Sequence, residues 1–258
     1  MKFKRIFSFG CSFTAYAWPT WSDIIAYDLG LPYENWGLGG LGNFGIQARL
    51  VECDLKNNLD TDDLVLLLWS GWNREDRFDI SKGGWLCGGC IFHNPHYNKK
   101  YLYDYWTLEN DIIRSITVIH STRKAYKNIV RFEGEMTSPN HGDEYFNGQL
   151  EQYAQNVPIM LSLFDHNIPK FDIEKIDKWQ EYLDDPHPSV LQHLQFVEKY
   201  VYSKLGMSLK EKTKIDITNL HNKCFNVIEQ FKDNKDKTNT YEEIKMLSVN
   251  QGFNFRRL

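Results

Sequence analysis

Ser12 and His187 are the side chains of this sequence best suited to covalent chemistry at a carbonyl, and each sits in a segment that would hold it still. Ser12 follows a short apolar run, Arg5 to Phe9, in Gly10-Cys11-Ser12-Phe13-Thr14. A glycine there permits a tight turn, and a serine at a strand tip can point its hydroxyl outward as a nucleophile. A serine in a strand-to-helix turn also serves as a helix cap, so the meaning of Ser12 depends on partners elsewhere. Cys11 is the rival nucleophile. Adjacent residues at a strand tip point in opposite directions, so only one of the two can face a base, and Ser12 is preferred.

The base lies near the far end, in Asp184-Asp185-Pro186-His187-Pro188. A carboxylate three residues before a histidine can fold back and accept the proton of one ring nitrogen, which leaves the other nitrogen basic. That spacing selects Asp184 as the orienting acid and leaves Asp185 dispensable. The two prolines stiffen the loop. Donors for a developing oxyanion are expected from two further segments. Asn35 to Asn43 is glycine-rich and can present bare backbone N–H groups, and Ser70-Gly71-Trp72-Asn73 puts an uncharged amide after an apolar run.

These segments need a scaffold that gathers them. The apolar runs and helical periodicities predict strand, turn and helix from Arg5 to Gly30, with the helix over about Thr20 to Leu29. A second strand-loop-helix unit follows, with a strand over Pro32 to Trp36 and helical spacing at Ile46, Leu50, Val51 and Leu55. Leu64 to Trp69 is apolar without alternation, as in a central parallel strand covered on both faces. Gly83 to Tyr105 reads as a long ordered insertion or lid-like loop. Helices are expected over Leu108 to Thr122 and Tyr145 to Gln155, with a strand over Ile159 to Phe164. Ser189 and Gln192 form a helix-start pair after Pro188, and Gly206 ends that helix. Alternating strands and helices imply a three-layer α/β/α fold with a doubly wound parallel sheet, whose crevice lies at the carboxyl ends of the strands.

Taken together, the serine segment, the glycine segment, the Gly71-x-Asn73 segment and the Asp184-x-x-His187 segment occur in the order of the SGNH (GDSL-like) hydrolase superfamily, which this chain resembles from about Lys4 to Gly206. The resemblance implies the flavodoxin-like variant of the fold. It also implies an esterase with Ser12 as nucleophile, His187 as base, Asp184 as its orienting acid, and the N–H groups of Ser12 and Gly40 with the Asn73 amide as oxyanion hole. No cofactor and no metal are implied. The expected substrate is a small acyl ester, with an O-acetylated carbohydrate as the preferred class. A non-catalytic binding or structural module, or an O-acyltransferase using the same three residues, are the alternatives. Cys11 stands where the family usually has Asp, and Arg74 follows Asn73 where the common pattern has Asp.

The remaining features bound these expectations. Residues 1–206 are expected to form the catalytic domain, with an insertion over about 82–106, and 207–258 a mostly helical extension with a solvated linker from Lys232 to Thr240. Cys87, Cys90, His93 and His96 have a spacing that invites zinc, but closing a tetrahedron from one loop needs an unusual path, and a plain loop is the preferred reading. The net charge is −4, with no long basic run of the kind a nucleic-acid binder carries. No apolar stretch has the ~20 residues of a membrane span. Five cysteines in 258 residues are not a disulfide scaffold. A cytoplasmic protein without nucleic-acid or membrane partners is expected.

Overall fold

The computed structural model of the chain describes residues 3–72, 74–81, 83–90, 100, 104–136, 169–171 and 176–253. Its centre is a five-stranded, wholly parallel sheet of β1 (Arg5–Phe9), β2 (Tyr33–Asn35), β3 (Asp63–Trp69), β6 (Val130–Met136) and β7 (Lys170–Phe171), ordered β2-β1-β3-β6-β7. This is the flavodoxin-like order, in which the winding direction reverses between β1 and β3. Every residue of β3 is buried, as its unbroken apolar run requires of the middle strand. The register of β1 on β3 is pinned at its first pair. Arg5 lies opposite Asp63, its Nε donating to Oδ1 at 2.8 Å and Nη2 to Oδ2 at 2.7 Å. A slip by one residue would break that fork and turn the strand's core face outward.

Helices cover both faces. On one, α1 (Trp21–Leu29) packs against α5, which starts at Val190–Phe196 and continues through a π-helical stretch, Val197–Tyr202, to Ser203–Leu205. On the other, α2 (Asn43–Asn57) packs against α3 (Leu108–Tyr126). The expected signals at Gly30, Ser189 with Gln192, and Gly206 operate at the helix ends, and Thr20, expected as the first helical residue, stands as the cap before it. Thr20 caps α1 and Gly30 closes it with φ of 66°, Ser189 and Gln192 form a reciprocal capping box, and Gly206 ends the α5 run at φ 64°.

Two parts differ from the expectation. The region read as an insertion loop begins as regular structure: β5 (Gly84–Cys90) pairs antiparallel with β4 (Arg74–Asp79), just before that region, as a separate hairpin. The run Val130 to Met136 forms a strand that the sequence analysis does not name, because charged residues interrupt its apolar ones. The helix over Tyr145 to Gln155 and the strand over Ile159 to Phe164 fall outside the described residues.

The tail joins the main core. A short helix, α4 (Lys178–Leu183), precedes the His187 loop, and α6 (Glu211–Gln230) and α7 (Thr238–Asn250) follow α5. Helix α6 packs on α1, α4 and α5 through Ile217, Leu220, Cys224 and Ile228, all fully or almost fully buried. Asp28 at the end of α1 fixes its entry, accepting from Tyr202 Oη at 2.7 Å, Thr213 Oγ1 at 2.6 Å and the Lys210 N–H at 3.1 Å. Phe253 stacks on Tyr27 at 4.9 Å and ties the end of the tail back to α1.

The packing predicts that Leu66→Ala, in the middle of β3, lowers stability by about 2–5 kcal/mol in urea unfolding, from lost transfer energy and the cavity left behind. Leu55→Ala, on the exposed face of α2, should stay within about 0.5 kcal/mol of the parent.

Candidate active site at the carboxyl end of the sheet

The turn after β1 has no room to vary. A Cβ on Gly10 would lie 2.1 Å from Thr14 Oγ1 and 3.0 Å from the Leu68 carbonyl, so only glycine lets β1 pass this close to β3. The Cys11 carbonyl then accepts from the N–H groups of Thr14 and Ala15, and the Thr14 carbonyl from Asn35 Nδ2 at 2.8 Å and Thr20 Oγ1 at 2.7 Å. Between these ties, the two neighbouring side chains differ in burial. Cys11 is fully buried with its Sγ 3.3 Å from Met136 Sδ, whereas Ser12 keeps 8% of its surface exposed.

The glycine segment is held from beneath. Asp76 on β4 accepts from the N–H groups of Gly42 and Gly45, both at 2.7 Å, and so supplies the carboxylate that the first turn of α2 lacks. Burial pushes the Asp76 carboxyl above the usual range, against the pull of those two N–H groups. Asn43 Nδ2 donates to the Ser70 carbonyl at 3.1 Å, and the Ser70 N–H donates to Asn43 Oδ1 at 2.7 Å, so the glycine segment and the tip of β3 are one unit. Gly40 has φ of 78°, a left-handed conformation suited to glycine. The N–H groups of Ser12 and Gly40 have no backbone acceptor among the described residues. Asn73 lies outside the described residues, as do His93, His96 and the side chains of Cys87 and Cys90. Among the described residues no group of His, Cys, Asp and Glu is placed to hold a metal ion.

The histidine loop corrects the sequence reading. Asp184 is the left-handed cap of α4, with φ of 53°, and its N–H donates to the carbonyls of Gln180 and Glu181. That cap turns the chain and leaves the Asp184 side chain in solvent. Asp185, one residue on, points inward and partners His187: Oδ1 lies 2.6 Å from His187 Nδ1 and accepts the His187 backbone N–H at 2.9 Å. This is an Asx-type turn, in which a short carboxylate reaches the residue two places ahead. A three-residue spacing suits a continuing helical turn, and α4 ends at Leu183.

Asp185 Oδ2 is satisfied as well, accepting from Tyr16 Oη and Tyr241 Oη, each at 2.6 Å. Burial would raise this carboxyl, but the hydrogen bond and charge of His187 with the two phenols outweigh it and hold it down at about 2. An ionised carboxylate only accepts, so Nδ1 carries the proton and Nε2 is left with its lone pair. Residues flanking Ser12 hold the ring. Tyr16 stacks on His187 at 3.8 Å and 19°, Phe13 meets it edge-on at 5.8 Å, and Trp18 Nε1 donates to the Pro188 carbonyl at 2.8 Å. No hydrogen bond joins Ser12 to His187 among the described residues. His193 lies beneath, buried and without a hydrogen-bond partner among the described residues. Burial and the nearby His187 push it down to about 3, so it stays neutral.

The sequence reading missed Asp185 as partner, Tyr16, Asp76 and Tyr241. An Asp-x-His spacing is a weak sign of an Asx turn, and nothing local marks Tyr241, which comes from α7.

No protein-family model and no curated protein matches this chain. Among solved structures it is similar to Axe2, an acetylxylan esterase from Geobacillus stearothermophilus, at 15% identity over 81% of this chain and 98% of that one, with a TM-score of 0.42. It is also similar to Est2A, an acetyl xylan esterase from the rumen bacterium Butyrivibrio proteoclasticus, at 13% identity over 80% of this chain and 65% of that one, with a TM-score of 0.36. Likeness this distant leaves the chemistry to the chain's own residues.

The Asp185 geometry predicts a pH signature. Its folded value lies below the ~3.9 of an unfolded aspartate, so its contribution to stability is complete above about pH 4 and is lost as pH falls towards 2. Urea midpoints measured between pH 5 and 2 should fall more steeply for the parent than for Asp185→Asn.

Proposed function

We propose that this protein is a serine esterase that cleaves small acyl esters through an acyl-Ser12 intermediate. The observation that carries the reading is the 2.6 Å bond between Asp185 Oδ1 and His187 Nδ1, in a loop whose imidazole is packed by the two neighbours Phe13 and Tyr16 of the Ser12 turn.

In this reading His187 Nε2 takes the hydroxyl proton as Ser12 Oγ bonds to the acyl carbon, and ionised Asp185 stabilises the imidazolium that results. The carbonyl oxygen gains negative charge, which the free N–H groups of Ser12 and Gly40 are suited to receive, with the Asn73 amide as third donor. Collapse expels the alcohol, which takes the proton from Nε2. Water then attacks the acyl-serine with His187 again as base, and the carboxylic acid leaves as Ser12 regains its proton. Asp185 stands in the role that the Asp-x-x-His spacing gave to Asp184. Following the resemblance of the four sequence segments, an O-acetylated carbohydrate is the substrate class to assay first.

Steady-state kinetics on short-chain p-nitrophenyl esters and on acetylated oligosaccharides test the roles. Ser12→Ala and His187→Ala should abolish turnover. Asp185→Asn should lower kcat by about 10³ to 10⁴, through the lost charge and a wrong tautomer. Asp184→Asn keeps a residue that tolerates the left-handed cap and should stay within about threefold of the parent. Turnover that survives in Asp185→Asn and fails in Asp184→Asn would reverse the assignment, and hydrolysis unaffected by Ser12→Ala would end the proposal.

A further inference from the structure

Resting on the esterase reading and extending it, we infer that Tyr241, from the C-terminal helix α7, is a positioning residue whose phenol fixes the Asp185 carboxylate against His187, so that residues after 206 complete the active site.

Asp185 is a buried carboxylate, and each lone pair left without a donor would cost free energy. Oδ1 is used by His187, through Nδ1 and the backbone N–H. Among the described residues Oδ2 accepts from two phenols, Tyr16 and Tyr241, each at 2.6 Å. Tyr16 is on the Ser12 turn and also stacks on the imidazole, so it moves with the groups it would have to fix. Tyr241 stands outside that unit. Its ring lies parallel to Trp18 at 6.0 Å, and Trp18 packs edge-on against both Tyr16 and Trp179. Helix α7 is itself anchored, by Ile244 in the core and by Phe253 beyond its end stacked on Tyr27. The phenol therefore reaches Oδ2 from a helix anchored in the core outside the Ser12 turn and the His187 loop, while its ring packs on Trp18, which joins the two. It holds the carboxylate rotamer that aims Oδ1 at Nδ1.

It also draws charge from the carboxylate. The titratable groups facing Asp185 are His187 from its own loop, Tyr16 from the Ser12 turn and Tyr241 from α7, with neutral His193 behind His187 and exposed Asp184 acting on Tyr241. None of these is a fixed cation, so the two phenols, with the His187 backbone N–H, temper the pull of Asp185 on a protonated His187. Removing one phenol strengthens that pull, favours imidazolium, and moves the acid limb of activity to higher pH.

The test uses the full chain with Tyr241→Phe, which keeps the ring beside Trp18 and removes only the hydroxyl. Expected are a kcat about tenfold lower with KM within about twofold, and an acid limb of kcat/KM moved up by about half a pH unit. The downfield proton resonance of His187 Nδ1–H should also shift. Met246→Ala, exposed on α7, should match the parent in all of these. A Tyr241→Phe variant that matches the parent throughout, or loses kcat with the acid limb and resonance unmoved, overturns the inference, because packing alone then explains the residue. If the parent hydrolyses no ester, the esterase reading fails, and the resonance still decides whether Tyr241 acts on the Asp185–His187 pair.

Discussion

A carboxylate taken out of water has to be met by donors on nearly every lone pair, and around Asp185 that requirement organises three distant stretches of chain. Its own loop supplies His187, the turn after β1 supplies Tyr16, and the last long helix supplies Tyr241. Each donor in turn depends on packing of its own: Tyr16 on Trp18, Trp18 on Trp179 of α4, and α7 on the core through Ile244. The cost of burying one charge thus couples the sheet, the histidine loop and the tail.

The parallel sheet explains why this occurs where it does. The turns after β1, β2 and β3 all emerge at the carboxyl edge, and the reversal of winding between β1 and β3 opens the crevice there. Close approach at Gly10, the Asp76 carboxylate beneath Gly42 and Gly45, and the reciprocal amide bonds between Asn43 and Ser70 fix those turns against one another. Among the described residues the N–H groups of Ser12 and Gly40 find no backbone acceptor, in turns otherwise bound into hydrogen bonds.

Local chemistry made much of this legible from residues alone. Gly30, Ser189 and Gly206 act within one helical turn, and the apolar run of β3 reports its own burial, so these helix ends and the central strand could be read directly. What could not be read depends on how chain segments end and meet. Asp184 looked correct by spacing, but α4 stops at Leu183, and the left-handed cap exchanges the inward position for that of Asp185. In β6, Glu133 is matched by Arg123 and Trp69, so a charged residue sits in a strand at low cost, and its run of alternating charges conceals it. Tyr241 is invisible because its partner is 56 residues away and no local pattern announces the contact.

The central claim is that the Asp185–His187 pair serves Ser12 as an activated nucleophile, in preference to Cys11 one residue away. Peptide mass spectrometry after reaction with a fluorophosphonate reads this directly, because the adduct marks the attacking atom's residue. The account predicts a single stoichiometric adduct on Ser12 in the peptide that contains both residues, with its formation lost in His187→Ala. An adduct on Cys11, or a Ser12 that stays unmodified while esters are still hydrolysed, would contradict it.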